Sequence, residues 1–460
     1  MSSLPVLNVG ILGTTAATES IYIPLLSSLP KHYTLTIIHT NTDLTQNNFN
    51  SSFTTTTTTS PDEVINHPDT NLIINLLPFD HHEQYTLAAL EAGKHVMVEV
   101  PLSLSIHGLR RIRDARKKGK DSTINSNLSS QSGDEKSAGP KVFVGCARRY
   151  APCFTNIFKK ELPTLGRVYY ARCRNITGPV SVSGPVLTNA PGNGYINGTN
   201  TNTNTNRVNN SLLPSSSSAR PQRIHALLAD IFGSNEDLTR DREAFCRFLG
   251  TLGGHDLSLI RESLGFPDAV SNISIIEPFY SAMFHYTDNT RGTEYPFTLV
   301  YEAGVDGVPR SDAHLTVYGA KKTLSIEYDF SCESENLAVK VVVEEAICDA
   351  VDGNLDVEMF DSSDGKQDSN ASQNGHVNGN DVANGNGHSP TTTTRPRMKR
   401  TEETYEQEFL AMHAYLVGDA GDKGVQAKTT AEDALDDLKL MHMIFDHYDR
   451  QCGTIRTPLG

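Results

Sequence analysis

The opening of the chain limits its fold more than any other feature. An apolar run, Val6 to Leu12, stops at Gly13 and passes into a helix-compatible stretch, Ala16 to Ser28, carrying Ile21, Leu25 and Leu26 and interrupted by Pro24. A strand that breaks at glycine and turns into a helix starts a βαβ unit, and such a unit requires parallel partner strands. Leu35 to Ile38, Leu72 to Leu77 (stopped by Pro78), Val96 to Val98 and Lys141 to Gly145 supply them. Between them, Ser60-Pro61-Asp62-Glu63 opens a short helix, and Asp80 with Glu83 gives a capping-box pattern for a helix to Ala92 that Gly93 ends. Ser105 to Lys117 reads as a further helix, with Lys117, Lys118 and Lys120 at its C-terminal end. This alternation predicts a parallel sheet covered by helices on both faces.

The later chain has another rhythm. Val168 to Cys173, Val270 to Pro278, Ser281 to Tyr286, Phe297 to Ala303, Ala313 to Tyr318 and Thr323 to Tyr328 are strand-like runs with few helices between them, the pattern of a large, mostly antiparallel sheet. A helix from Leu257 to Leu264 precedes most of it. Thr429 with Glu432 predicts the cap of a last helix, Thr430 to Tyr448, whose Leu435, Leu438, Met441 and Phe445 share one face.

Four tracts near 51–60, 121–139, 191–222 and 362–397 are dominated by Thr, Asn, Ser, Gly and Asp, and too few apolar residues cluster there to offset the entropy of ordering them; they are expected to be disordered insertions. The formal net charge of -14 disfavours a nucleic-acid surface, and Arg395 to Arg400 reads as a solvated linker edge. Seven cysteines without CxxC spacing suggest neither a zinc site nor a disulfide framework, so no metal is expected and a reducing compartment fits. With no secretory signal pattern at Met1 to Val9 and no apolar run long enough to cross a bilayer, the expectation is a cytoplasmic protein without membrane contact.

Several segments in order carry a resemblance: Val9-Gly10-Ile11-Leu12-Gly13; Pro78 to His82; Ala88-Ala89-Leu90-Glu91-Ala92-Gly93-Lys94-His95-Val96; Glu99-Val100-Pro101-Leu102; Arg148-Arg149-Tyr150-Ala151-Pro152; Leu165-Gly166-Arg167-Val168; Gly253-Gly254-His255-Asp256; and Ala431-Glu432-Asp433-Ala434-Leu435. Together they resemble the Gfo/Idh/MocA oxidoreductases, of which the glucose-fructose oxidoreductase and inositol dehydrogenase are types. The resemblance implies an α/β fold: an N-terminal Rossmann doubly wound parallel sheet over residues 5–147, then a C-terminal α+β substrate and oligomerisation domain with a large mostly antiparallel sheet over 148–455.

It also implies NAD or NADP as cofactor. Cofactor contacts fall on Gly10, Gly13, Thr14, Thr15, Thr40, Asn41, Leu77, Pro78, His82 and Glu99. Gly13 takes the first glycine position of the phosphate turn, while Thr15 and Thr18 take the second and third, so a β-branched side chain stands where phosphates approach closely. His39-Thr40-Asn41 occupies the stretch where the family often places a ribose-binding acid. Without a carboxylate there, a 2'-phosphate is not repelled.

By the same resemblance, catalysis uses a lysine, an aspartate and a histidine. Here the lysine position is Val100, the aspartate position is Thr251, and His255 alone remains as acid/base. Asp256 reads as a carboxylate interacting with the helix dipole. Arg148, Arg149 and Tyr150 border the substrate cleft by resemblance, with surface ion pairs as the alternative. His81 and His82 stand at the end of a parallel strand; a metal held by this adjacent pair is not expected. The expectation is an oxidoreductase acting on a sugar, polyol or related small hydroxy compound and assembling with copies of itself. The alternatives left open are a catalytically silent dinucleotide or metabolite sensor and a non-redox activity of the same fold.

Overall fold

The structure is a computed structural model and describes residues 5–40 (Ala16 excepted), 56–127, 139–178, 220–232, 239–288, 294–308, 311–329, 338–346, 393–398, 402–418 and 427–455. Six strands, β1 (Leu7–Leu12), β2 (Tyr33–His39), β3 (Thr56–Thr58), β4 (Leu72–Asn75), β5 (His95–Glu99) and β6 (Val142–Gly145), form one sheet in the order β3-β2-β1-β4-β5-β6. Every pairing in it is parallel. All four residues of β4 are buried, as expected for a strand covered on both faces. The helices are α1 (Ile23–Ser28), reached through a π-turn at Thr18–Tyr22, α2 (Pro61–Ile65), α3 (His82–Glu91) and α4 (Ile106–Asn127). The connections reverse direction between β1 and β4, which opens a crevice beyond their C-terminal ends, the place where open α/β sheets take ligands.

After a short turn, α5 (Lys159–Glu161), and β7 (Val168–Thr177), the helices α6 (Arg220–Phe232), α7 (Arg240–Phe248) and α8 (Gly254–Leu264) precede β8 (Ala269–Ile276), β9 (Phe279–Asp288), β10 (Tyr295–Val305), β11 (Ser311–Gly319), β12 (Lys322–Asp329), β13 (Ala338–Glu345) and β14 (Thr393–Met398). These form an eight-stranded sheet, β14-β13-β12-β11-β7-β10-β9-β8, antiparallel except where β7 meets β10. Along β9 the inward residues Tyr280, Ala282, Phe284 and Tyr286 are buried and alternate with more accessible ones, so one face packs on the body. The expected fold class is therefore the observed one.

The last helices, α9 (Glu402–Val417) and α10 (Ala431–Ile455), return to the first sheet. Tyr33 donates to the Phe409 carbonyl at 2.6 Å, Lys141 Nζ to the Tyr415 and Gly418 carbonyls at 2.8 and 2.7 Å, and the Val144 N–H to the Thr429 carbonyl at 2.9 Å.

Several local expectations are corrected. The Thr-rich tract contributes β3, and α4 runs ten residues past Lys117 to Asn127. The tract ending near 222 gives way to α6 at Arg220, and Thr393–Met398, including part of the basic run, pairs with β13. The rest of the four tracts lies largely outside the described residues. Asp80 and Glu83 do not cap a helix: Asp80 pairs with Arg223 at 3.0 Å, and Glu83 accepts from Ser103 and Arg111. At α10 the cap is Thr430, accepting from the Asp433 N–H at 3.3 Å, while Thr429 meets Tyr150 and Glu432 pairs with Arg116.

Candidate active site

The turn after β1 has a backbone that only glycine accommodates easily. Gly13 has φ +94°, and a Cβ there would lie 3.2 Å from the Leu76 carbonyl carbon and oxygen. Thr14 and Thr15 are half-buried next to it. Thr14 Oγ1 donates to the His39 carbonyl at 2.7 Å, tying the turn to the end of β2. Thr15 and Thr18 bond reciprocally: the Thr15 N–H reaches Thr18 Oγ1 at 3.0 Å and the Thr18 N–H reaches Thr15 Oγ1 at 3.3 Å. The fully buried Thr18 hydroxyl also lies 3.1 Å from the Gly13 carbonyl, to which it donates. The two threonines at the second and third positions of the turn thus make a capping box.

Gly10 sits elsewhere. A Cβ on it would come within 2.8 Å of Val64 Cγ1 and 3.2 Å of Thr70 Cγ2, so its role is to let α2 lie close on the sheet, and its expected cofactor contact is corrected to a packing one. Thr40 is buried, with its N–H donating to the Thr58 carbonyl at 2.8 Å; Asn41 lies outside the described residues.

Across the crevice, His82 is a clamp. Its Nδ1 faces the Pro101 carbonyl at 2.7 Å and its Nε2 the Leu77 carbonyl at 2.8 Å, joining the segments that follow β4 and β5. Burial lowers its pKa, and the two carbonyls oppose that shift. With both ring nitrogens engaged, His82 positions Leu77, Pro78 and Pro101 and has no nitrogen left for a ligand. Glu99, at the end of β5, is partly accessible and accepts from the Tyr22 hydroxyl. Burial pushes its carboxyl pKa up.

His255 opens α8 after a π-turn at Leu249–Gly253. It is partly accessible and makes no hydrogen bond among the described residues. Burial first, then the Arg148 guanidinium and His82, push its pKa down to about 3, so the ring is neutral at physiological pH. The wall beside it is apolar. A Cβ on Gly254 would stand 2.9 Å from Val100 Cγ1, and one on Gly250 2.5 Å from the Phe79 ring. Thr251 faces inward, with its hydroxyl donating to the Arg247 or Phe248 carbonyl at 3.0 and 3.1 Å.

The Arg-Arg-Tyr segment is buried, which removes the surface ion-pair alternative. Arg149 reaches Ser258 at 3.0 Å, Asp433 at 2.5 Å and Glu262 at 2.8 Å, and the Tyr150 hydroxyl meets Thr429 at 2.8 Å. Their polar ends are engaged inside the protein, so the expected substrate contacts at Arg149 and Tyr150 are corrected to structural ones. Arg148 instead lies beneath His255, bonded to Asp256 at 2.6 Å. Asp256 is fully buried and also accepts from Asn175 at 2.9 Å and Tyr301 at 3.0 Å. It is the anionic half of a buried pair more than a partner of the helix dipole.

Asn175, Tyr301, Tyr22 and Glu408 were not among the expected site residues. Only Glu408 left a signal in its surroundings, the spacing Tyr405, Phe409, Met412, Leu416 of an amphipathic helix.

The crevice, the strand order and the glycine turn agree with the comparisons. The model of the oxidoreductase family with an NAD-binding Rossmann fold matches residues 7–125. Those residues are similar to the NAD-binding domain of the Gfo/Idh/MocA oxidoreductases. Inositol 2-dehydrogenase of Klebsiella pneumoniae (strain 342) is 48% identical over 56 residues, which are 12% of this chain and only 17% of that enzyme. An oxidoreductase from Thermotoga maritima superposes with TM-score 0.53 at 14% identity, covering 96% of this chain and 97% of its own. Biliverdin reductase from Synechocystis sp. PCC 6803, solved with biliverdin and NADP+, gives TM-score 0.50 at 15% identity, covering 96% of this chain and 98% of its own. At such identities the last two show a shared fold alone.

Proposed function

We propose that this chain is an NAD- or NADP-dependent oxidoreductase of the Gfo/Idh/MocA type acting on a small sugar, polyol or related hydroxy compound, with His255 as its proton-exchanging group. The observation that carries the reading is the pairing of the positive-φ Gly13 turn with a neutral, accessible His255 beside the same crevice. The residues present fit a dinucleotide: the positive-φ bend at Gly13, packed on Leu76 and Leu77, ends β1 at the crevice, with Thr14 and Thr15 at its edge, where a pyrophosphate would meet backbone. Thr40, at the end of β2, would face the adenosine ribose; His39-Thr40-Asn41 contains no acid to repel a 2'-phosphate. Leu77, Pro78 and Glu99 would flank the nicotinamide end. When bound, the nicotinamide supplies the hydride donor or acceptor.

His255 would take the substrate hydroxyl proton. Burial keeps the ring neutral beforehand, and the positive charge of Arg148, held by Asp256, adds to it. Val100 and Phe79 exclude water without polarising the substrate. Those apolar groups, with the inward Thr251 hydroxyl, are also what a silent sensor would show, and turnover separates the two readings.

Self-association fits the outer face of the eight-stranded sheet, where Tyr170 and Tyr318 pair at 5.6 Å between ring centroids and Ile276 is 72% exposed. Among the described residues no helix is long and apolar enough to cross a membrane. The buried free thiols Cys146, Cys153, Cys173 and Cys246 suit a reducing cytoplasm.

Thermal-shift titration with NAD, NADP and their reduced forms, followed by turnover on a panel of sugars and polyols, tests the reading. Stabilisation by one dinucleotide and turnover that His255→Ala lowers by about 100-fold or more are expected. Stabilisation by none ends the enzyme reading, and binding without turnover favours the sensor.

A further inference from the structure

Glu99 and Glu408, from distant parts of the sequence, meet across one peptide group. A Cβ on Gly145 would lie 2.8 Å from Glu99 Oε1, and the next residue, Cys146, donates its N–H to Glu408 Oε1 at 2.6 Å. Tyr22 donates its hydroxyl to Glu99. Glu408 is fully buried on α9, and its Oε2 has no hydrogen-bond partner among the described residues. The polar groups packed around the pair are Tyr22 after β1, Tyr33 of β2, Tyr405 on α9, and Cys146, Arg148, Arg149 and Tyr150 after β6, with Asp437 of α10 behind Cys146. Arg148 bonds Asp256, the anion on its other side.

Two carboxyl groups this close in a dry site cannot both be ionised cheaply; one keeps its proton well above the usual range. Burial and mutual repulsion push Glu408 up, and burial does the same to Glu99. The two differ in access. Glu408 is sealed, whereas Glu99 is partly accessible at the C-terminal end of β5, on the crevice.

We propose that Glu99 and Glu408 hold one proton between them, and that a ligand hydroxyl donated to Glu99 in the crevice expels it to solvent, linking dinucleotide binding to proton release. The second half rests on the dinucleotide reading above; the first half does not. A hydroxyl donor stabilises the carboxylate form of Glu99, so occupancy lowers the affinity of the pair for its proton, and the proton affinity in turn sets a pH dependence of binding.

The test is titration calorimetry of the full chain with NAD and NADP at neutral pH in two buffers of different ionisation enthalpy. Release of up to one proton per site is expected. Glu408→Gln copies the shape of the protonated acid and removes the charge that holds the proton on Glu99, so this variant should still bind the dinucleotide with release near zero. Infrared spectra of the ligand-free protein provide the second arm: a protonated-carboxyl stretch at neutral pH, weakened or shifted in Glu408→Gln and in Glu99→Gln.

Binding without proton release, or equal release from Glu408→Gln, overturns the linkage. Absence of the carboxyl band from the wild-type protein overturns the shared proton, whether or not the variants fold. If neither dinucleotide binds while the band is present, the functional reading and the linkage fall and the shared proton stands.

Discussion

The two ends of the crevice are built on different principles. At the dinucleotide end, hydrogen bonds hold every bend: Thr15 with Thr18 across the turn, Thr14 to His39, His82 to Leu77 and Pro101. At the His255 end, contact is apolar, Val100 against Gly254 and Phe79 against Gly250, with the polar groups withdrawn beneath as the Arg148–Asp256 pair. The first end must satisfy backbone groups exposed where strands stop, a cost the fold meets whether or not a ligand binds. The second needs polarity only for chemistry, so Val100 and Thr251 can stand there without loss of architecture.

The largest effect expected of a single change lies behind the apolar end. Arg149→Met removes one of the two cations at Asp433 and at Glu262, where Arg261 and Lys159 remain, and should cost about 3 kcal/mol in urea denaturation. A stable variant that loses ligand binding would return Arg149 to the crevice. At the dinucleotide end, His82→Ala removes the one N–H that the neutral ring donates to the Leu77 or Pro101 carbonyl and opens a cavity, and a loss of roughly 2 kcal/mol together with weaker dinucleotide binding is expected. Unchanged affinity would show that the clamp does not shape that end.

Thr18→Val keeps the buried volume and deletes one half of the capping box, for about 1 kcal/mol. A null result would mean that the turn is held by Gly13 alone.

The pH effect at His255 is spread over several pH units and is not a single step. Its pKa is about 3 in the fold against 6.5 ordinarily, so below about 6.5 the unfolded chain takes up a proton that the folded one refuses. Stability should therefore fall as pH drops through that window, and His255→Gln should flatten the slope. An unchanged slope would place the ring in water.

What was legible in the sequence follows the same division. Strand runs, the Gly13 turn and the Gly93 helix end are local patterns, and the structure repeats them. Asp80 and Glu83 carry a capping pattern too, yet Arg223, Arg220 and Arg111 claim them, because a charge with a long-range partner outbids a local N–H. Arg149 and Tyr150 looked like cleft residues because nothing local reveals that Asp433 and Thr429 fold back onto them. Helix α9 follows a long polar tract, and its Glu408 gains meaning only from Glu99, which no spacing rule connects to it.

The functional reading depends on the Gly13 turn seating a dinucleotide. Titration calorimetry of NAD and NADP into the wild-type chain and Gly13→Val measures it directly. Saturable one-to-one binding by the wild type, lost in a folded Gly13→Val because a side chain there meets the Leu76 backbone, is the expected result. No binding of either dinucleotide to the wild type, or undiminished binding to the variant, would contradict it.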